Sequence, residues 1–345
     1  MSTASKPKFK NPRAQHDFQG RTVSITGVGS YVPAKVLTNF DLEKMVETTD
    51  EWITSRTGIK ERRIAAADEF TSDLATKAAQ RAMKMAGVTA EQIDLIIIAT
   101  ITPDMPFPST ACLVQQKLGA KRAAAFDLEA ACSGFIYGLE IGQQFIMSRT
   151  YDTVLVIGAE KLSTVVDWQD RNTCVLFGDG AGAVVMQYRP SSHGLLTAVM
   201  GADGNKSGLL AMPAGGSRCP ASLHTVQNRL HYLRMDGKET FKNAVQAMMT
   251  AAQEVLRRCE ITIKQIKCVI PHQANRRIID AVGDRLGATA EQVFINLDRY
   301  GNTSAASVAI ALDEAVSSGK VVRGDLMLLV VFGAGLTWGA AVIEW

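Results

Sequence analysis

Apolar residues recur along the chain in two rhythms. One is the three-and-four spacing of a helix with a single buried face. The other is a short unbroken run of Val, Ile, Leu and Ala, which marks a strand covered on both sides. A helix opens at Thr71 or Ser72 and is stopped by Gly87; residues 95–99 (LIIIA) read as a buried strand, and 109–118 as a helix ended by Gly119. Residues 124–128 predict a strand, 133–147 a largely apolar helix, and 153–157 and 181–186 two further strands.

The second half repeats this order. Residues 239–258 predict a helix, 267–270 a strand, 274–286 a helix stopped by Gly287, 293–297 a strand, 304–317 a helix stopped by Gly319, and 326–331 and 338–344 two strands. Letters echo as well, since Lys117-Leu-Gly-Ala returns as Arg285-Leu-Gly-Ala about half a chain later. Together these predict a duplicated α/β domain with mixed, mostly parallel sheets, in halves 21–190 and 191–345. Residues 1–20, with Lys6, Lys8, Lys10 and Arg13 and no apolar core, read as a disordered basic tail.

Composition narrows the class. Of 345 residues, 47% are apolar and 21% charged, the usage of a soluble globular chain rather than a disordered, collagenous or coiled-coil one. With 37 basic against 34 acidic residues, the net charge of +3 supplies no whole-chain field for nucleic acid. The six cysteines (112, 132, 174, 219, 259, 268) form no Cys-x-x-Cys pair and no metal-spaced cluster with histidine. Free thiols in a reducing, cytoplasmic setting fit that pattern. The uncharged stretch 326–343 reaches membrane-helix length, but Gly333, Gly335 and Gly339 interrupt it, so it reads as strand, turn and strand with no membrane span.

Sites in layered α/β folds form beyond the carboxyl ends of strands. After strand 124–128 comes Glu129-Ala-Ala-Cys132-Ser-Gly, which places Cys132 at the mouth of the next helix, where a positive dipole end is expected to favour thiolate. After strand 267–270 comes Pro271-His272-Gln-Ala-Asn275, and after 293–297 comes Tyr300-Gly-Asn302-Thr-Ser. Phe332-Gly-Ala334-Gly follows 326–331 as a glycine-rich turn able to aim a backbone N–H into a site. A thiol forms thioesters, and neutral imidazole with carboxamide donates hydrogen bonds to a developing enolate oxygen.

At these residues the sequence resembles the thiolase-like condensing enzymes, and within them the β-ketoacyl-acyl-carrier-protein synthase III family, from about Val23 to Trp345. The matching stretches are Thr49-Asp-Glu-Trp-Ile-Thr-Ser-Arg56, Ala131-Cys132-Ser-Gly-Phe, Phe177-Gly-Asp-Gly-Ala-Gly, His272-Gln-Ala-Asn275, Gly301-Asn302-Thr-Ser and Phe332-Gly-Ala-Gly-Leu-Thr-Trp-Gly.

The resemblance implies a layered α-β-α-β-α fold and a homodimer. It implies that Cys132 takes an acyl group from acyl-coenzyme A and that malonyl-acyl-carrier-protein then decarboxylates against His272 and Asn302. The product is a 3-oxoacyl-acyl-carrier-protein, which starts fatty acid biosynthesis with no cofactor or metal. It implies an oxyanion hole from the N–H groups of Cys132 and Ala334. It also implies coenzyme A and pantetheine contacts at Trp52, Arg56, Arg171, Gly237 and Asn275, an acyl-pocket residue at Phe107 reaching across from the partner subunit, and carrier-protein contacts at Lys242 and Arg277.

Three other readings stand beside this one, among them a non-catalytic paralogue or scaffold that binds acyl-coenzyme A, against which the intact Cys132, His272 and Asn302 argue. A second is a starter synthase acting on a different acyl chain. The third is a papain-like peptidase, whose Cys, His and Asn follow the same chain order but whose Cys-Gly-Ser-Cys-Trp signature is absent.

Overall fold

The computed structural model describes residues 22–189 and 194–345. The expected tail 1–20 and the expected junction of the halves at 190–191 lie outside the described residues.

Two sheets carry the fold. The first contains β1 (Thr22–Tyr31), β2 (Leu95–Ala99), β3 (Ala124–Leu128), β4 (Thr153–Glu160) and β5 (Gly180–Arg189), in the spatial order β1-β5-β4-β2-β3. The second contains β6 (Gly194–Ala202), β7 (Cys268–Pro271), β8 (Leu326–Gly333) and β9 (Thr337–Glu344), in the order β6-β9-β8-β7. The orders superimpose when β6 is set on β1. The senses agree too: β2 with β4 and β7 with β8 are parallel, whereas β4 with β5 and β8 with β9 are antiparallel.

The counterpart of β3 is the segment 293–297, for which the sequence predicts a strand. The structure corrects this expectation, because the segment makes only a single bridge, Val293 to Val269. Gln273 explains the difference. Its Nε2 donates to the Phe294 carbonyl at 3.2 Å and its Oε1 accepts from the Asn296 N–H at 3.0 Å. A side chain thus satisfies backbone groups that a ladder would otherwise hold.

Seven helices position the site: α1 (Asp50–Thr57), α2 (Thr71–Ala86), α3 (Thr110–Leu118), α4 (Gly134–Met147), α5 (Gly237–Arg258), α6 (Arg276–Leu286) and α7 (Ala306–Ser317). Alternate residues of each strand feed different cores. Ile97, Val154 and Val156 of the first sheet meet Phe135, Ile136 and Leu139 of α4, Val308 and Leu312 of α7, and Ile270, Leu329 and Val331 of the second sheet. Their neighbours Ile96, Ile98, Leu155 and Ile157 pack instead on Leu74, Ala78 and Ala82 of α2. On the far side, Val269, Leu328 and Val330 pack on Val245, Met248 and Ala252 of α5 and Val282 of α6. The result is helix, sheet, helix, sheet, helix.

Because both faces of each sheet are covered, the strands read as unbroken apolar runs. The stretch 326–343 is the strand, turn and strand of β8 and β9, and among the described residues no helix is long and apolar enough to cross a membrane. The echoed Leu-Gly-Ala letters are a repeated helix stop, with Gly119 after α3 at φ 75° and Gly287 after α6 at φ 71°, a left-handed conformation that suits glycine.

Candidate active site

Beyond β3 the chain turns sharply, with Ala131 at φ 46°, and passes through a short 3-10 turn into α4. Cys132 sits in that turn and is buried. Burial pushes its thiol up to about 12, with the Ser304 hydroxyl the largest influence in the other direction. This corrects the expectation of a resting thiolate. The helix terminus is present, but desolvation of the charged form outweighs it. The resting group is a thiol and must lose its proton as it reacts.

Beyond β7 comes His272, 4% exposed. Burial lowers its imidazole to about 4, so the ring is neutral at physiological pH. Its Nδ1 lies 2.6 Å from Ser307 Oγ, and that oxygen accepts from the Gln273 N–H at 3.5 Å. Ser307 holds Nδ1, and in the tautomer that carries its proton on Nε2 the imidazole is an uncharged hydrogen-bond donor facing the cavity.

Asn302 lies in a loop held to the first half, since its N–H donates to the Leu176 carbonyl at 2.8 Å and its carbonyl accepts from Gly178 N–H at 3.1 Å. Its Oδ1 accepts from Ser304 N–H at 2.8 Å, which leaves Nδ2 as the donor end outside that bond. The FGAG turn is tied to the cysteine corner by Thr337, whose Oγ1 donates to the carbonyls of Ala130 and Ala334, 3.0 Å each.

Two cavities meet at Cys132. The outer one, about 560 Å³, is lined by Cys132, His272 and Asn302 together with Trp52, Arg56, Gly237, Asn275 and Arg277. The inner one, about 630 Å³, is lined by Cys132, Ser304, Ala334 and apolar side chains including Ile101, Leu162, Val165 and Leu233. A ligand arm reaching Cys132 from outside therefore passes the imidazole and the carboxamide, while an apolar chain on the sulfur has room beyond it.

At the outer mouth, Trp52 carries the Arg56 guanidinium 5.2 Å and the Arg171 guanidinium 5.1 Å from its ring centroid. Arg171 is absent from the cavity lining but reaches the same indole, and it also donates to the Glu47 carbonyl at 2.8 Å. Asn275 caps α6 by accepting from the Arg277 N–H at 2.9 Å, and its Nδ2 donates to the Arg56 carbonyl at 3.2 Å, joining the helix after His272 to α1. Lys238 also lines the outer cavity. Arg277 stacks on Phe241, 5.7 Å from its centroid, and Lys242 is exposed on α5 beside it. Phe107 is not brought to the chain's own cavity. It is 84% exposed, although its neighbour Pro106 lines the inner cavity.

Sequence reasoning missed several residues of this site. Ser307 sits one turn into the region after Asn302, and only the fold reveals that it faces His272. Phe177 bridges Asn302 and lines both cavities. Glu160, an acid closing an otherwise apolar strand, was available to the same strand-end rule that found Cys132. Among the described residues no cluster of His, Cys, Asp and Glu is arranged to hold a metal ion.

The layered duplicated fold, with thiol, imidazole and carboxamide at one buried junction, defines a thiolase-like condensing enzyme. Comparisons with known proteins agree. The family described as 3-oxoacyl-[acyl-carrier-protein] synthase III matches residues 126–204, and its C-terminal companion matches residues 256–345. The chain is 60% identical over 321 residues to the β-ketoacyl-[acyl-carrier-protein] synthase III of Caldanaerobacter subterraneus subsp. tengcongensis, covering 93% of this chain and 97% of that one. It is 58% identical to the Symbiobacterium thermophilum protein of the same name, covering 94% and 98%. The crystal structure of 3-oxoacyl-[acyl-carrier-protein] synthase III from Aquifex aeolicus matches with a TM-score of 0.87 at 52% identity, over 94% of this chain and 100% of that one. The chain belongs to the β-ketoacyl-[acyl-carrier-protein] synthase III family.

Proposed function

We propose that the chain condenses a short acyl group from acyl-coenzyme A with malonyl-acyl-carrier-protein, releasing carbon dioxide and giving the 3-oxoacyl-acyl-carrier-protein that starts fatty acid biosynthesis. The observation that carries this reading is the junction of the two cavities at Cys132, with His272 and Asn302 on the outer side alone.

In the first half-reaction the Cys132 sulfur attacks the acyl carbonyl and coenzyme A leaves through the outer cavity. The acyl chain stays in the inner one. In the second, the malonyl thioester lies along the same outer cavity, and its carbonyl oxygen meets Nε2 of His272 and Nδ2 of Asn302. Charge gathers on that oxygen as carbon dioxide departs, and donors already in place stabilise it without reorganising. The carbanion then attacks the acyl-enzyme carbonyl, whose oxygen the Cys132 and Ala334 N–H groups receive. Decarboxylation supplies the carbon nucleophile, so this sequence calls on no metal or redox cofactor.

Trp52, Arg56 and Arg171 suit the nucleotide end of coenzyme A, offering an indole face and two permanent cations. Gly237 and Asn275 lie along the path of the pantetheine arm. Arg277 and Lys242 beside the mouth suit an acidic carrier protein. The exposed Phe107 suits a second copy of this chain, placed to close the inner cavity of its partner in a homodimer. All six cysteines are free thiols, which supports a cytoplasmic setting.

The test is the mass added to Cys132 after exposure to acetyl, longer and branched acyl-coenzyme A, followed by malonyl-acyl-carrier-protein. The expected result is an acyl adduct that is discharged as 3-oxoacyl-acyl-carrier-protein. Absence of both from every donor would overturn the proposal.

A further inference from the structure

Glu160 closes β4 with its carboxyl wholly buried. It accepts from Thr102 Oγ1 at 2.6 Å, Thr100 Oγ1 at 3.2 Å and the Ile101 N–H at 3.1 Å, and the two reacting walls lie next to these groups: Thr100 and Ile101 line the inner cavity together with Cys132 and Ser304. The end of β4 abuts the Ser304 corner so tightly that a Cβ added to Gly158 would stand 2.3 Å from the Ala305 carbonyl oxygen. Ser304 itself is held at φ 49°, and its Oγ is buried with no hydrogen-bond partner. That hydroxyl shares the wall of the inner cavity with Cys132 and with Thr100 and Ile101, the groups that hold the Glu160 carboxyl, and it lowers the pKa of both the thiol and the acid. The mechanism above uses His272 as a hydrogen-bond donor to the malonyl thioester, with Nδ1 held by Ser307, and assigns no acceptor for the thiol proton.

We propose that Glu160, acting through the Ser304 hydroxyl, takes the Cys132 proton during acylation and returns it when condensation expels the Cys132 sulfur. The inference rests on Cys132 being the acyl carrier. In acylation the S–H bond breaks as the S–C bond forms. The thiol proton passes to Ser304 Oγ while the Ser304 O–H proton passes to the carboxylate, and coenzyme A leaves as a thiolate that is protonated by solvent. In condensation the carbanion displaces Cys132 as a thiolate, and the proton stored on Glu160 returns along the same hydroxyl. Protons balance over the cycle, and while the acyl group is held the buried acid is uncharged.

Burial raises the Glu160 carboxyl to about 7, which suits a group that must both accept and return a proton near neutrality. Of the other charged groups nearby, Asp127 and Glu129 line the same inner cavity, with Asp127 accepting from the Thr110 and Ala111 N–H groups, and several more are engaged elsewhere. Lys161 donates to the carbonyls of Ala66 and Glu69, Asp179 accepts from Ala65 N–H and Ser163, Asp73 of α2 pairs with Lys117, and Asp313 and Glu314 of α7 meet Ser30 and Arg299. Glu140 of α4 accepts from Gln144. Cys132 is the titratable group whose charge Glu160 opposes.

The experiment measures single-turnover acylation of the full chain by acetyl-coenzyme A between pH 5.5 and 8.5, read as mass on Cys132, alongside decarboxylation of malonyl-acyl-carrier-protein. The wild-type acylation rate is expected to fall as pH drops below about 7, as the carboxylate becomes protonated. Glu160→Gln is expected to acylate roughly 10²-fold more slowly and to lose that acid limb, with a much smaller effect on decarboxylation. Ser304→Ala, a gentler change at a hydroxyl with no settled partner, is expected to slow acylation in the same direction. Wild-type rates and an unchanged pH profile in Glu160→Gln would overturn the proposal. So would equal losses of acylation and decarboxylation, which mark a structural role, or unimpaired acylation in Ser304→Ala. A wild-type protein that never gains acyl mass on Cys132 would instead overturn the acyl-carrier reading beneath it.

Discussion

Gly333, the last residue of β8, lies with its backbone against Cys132, so that a Cβ added there would stand 2.7 Å from the Cys132 nitrogen and 3.1 Å from that of Ser133. Both neighbours are main chain, which has no flexible end to give way. Gly333→Ala is therefore expected to displace the cysteine corner and slow acyl transfer by about 10²-fold, the cost typical of an ångström-scale misplacement. Acyl mass on Cys132 against time measures it. A variant that acylates at the wild-type rate would show that the corner relaxes freely.

The separation of roles across the sulfur predicts a split between half-reactions. Cys132→Ala removes acylation altogether. His272→Ala and Asn302→Ala are each expected to leave acyl transfer largely intact while slowing malonyl decarboxylation by about 10²- to 10³-fold, as loss of an oxyanion donor does elsewhere. Carbon dioxide release and acyl mass, followed separately, decide this, and equal losses in both would refute the division.

Two buried groups pull the acid stability of the fold in opposite directions. The unfolded imidazole of His272 takes a proton below about 6.5 and the folded one only near 4, so acidification through that window favours unfolding. The folded Glu160 carboxyl takes a proton near 7 and the unfolded one near 4.5, so acidification through its window favours folding. Each contributes a slope of at most about 1.4 kcal/mol per pH unit, and the two largely cancel. Denaturant titrations between pH 4.5 and 6.5 should show Glu160→Gln losing stability on acidification faster than the parent, and His272→Ala gaining on it. Parallel slopes in all three proteins would contradict both assignments.

At the outer mouth, Arg277→Glu is expected to raise the KM for malonyl-acyl-carrier-protein by about tenfold, with a smaller rise for acyl-coenzyme A, and to weaken the salt dependence of the first. Steady-state kinetics with each substrate varied in turn measure this. Equal effects on both would remove Arg277 from carrier-protein docking.

How far the sequence disclosed this arrangement depended on how local each cause is. Residues 95–99 and 326–331 were legible as strands because burial on both faces demands an unbroken apolar run. Residues 293–297 carry a similar run broken by Asn296, and Gln273, some twenty positions earlier, caps their backbone from the side. Cys132, His272 and Asn302 were legible because strand ends before helices are local features. The protonation state of Cys132 was not, since burial by neighbours from both halves sets it. Phe107 gives no sign in its own letters that it stays outside its own cavity.

On the reading proposed above, both thioesters reach the sulfur through the outer cavity. Coenzyme A must withdraw before the carrier protein's arm can follow, so the two donors take turns on a shared path and never occupy it together. Free coenzyme A should accordingly obstruct the second thioester even when the first acyl group is already lodged. Such an enzyme slows itself as its own by-product accumulates, and needs no separate regulatory site to do so.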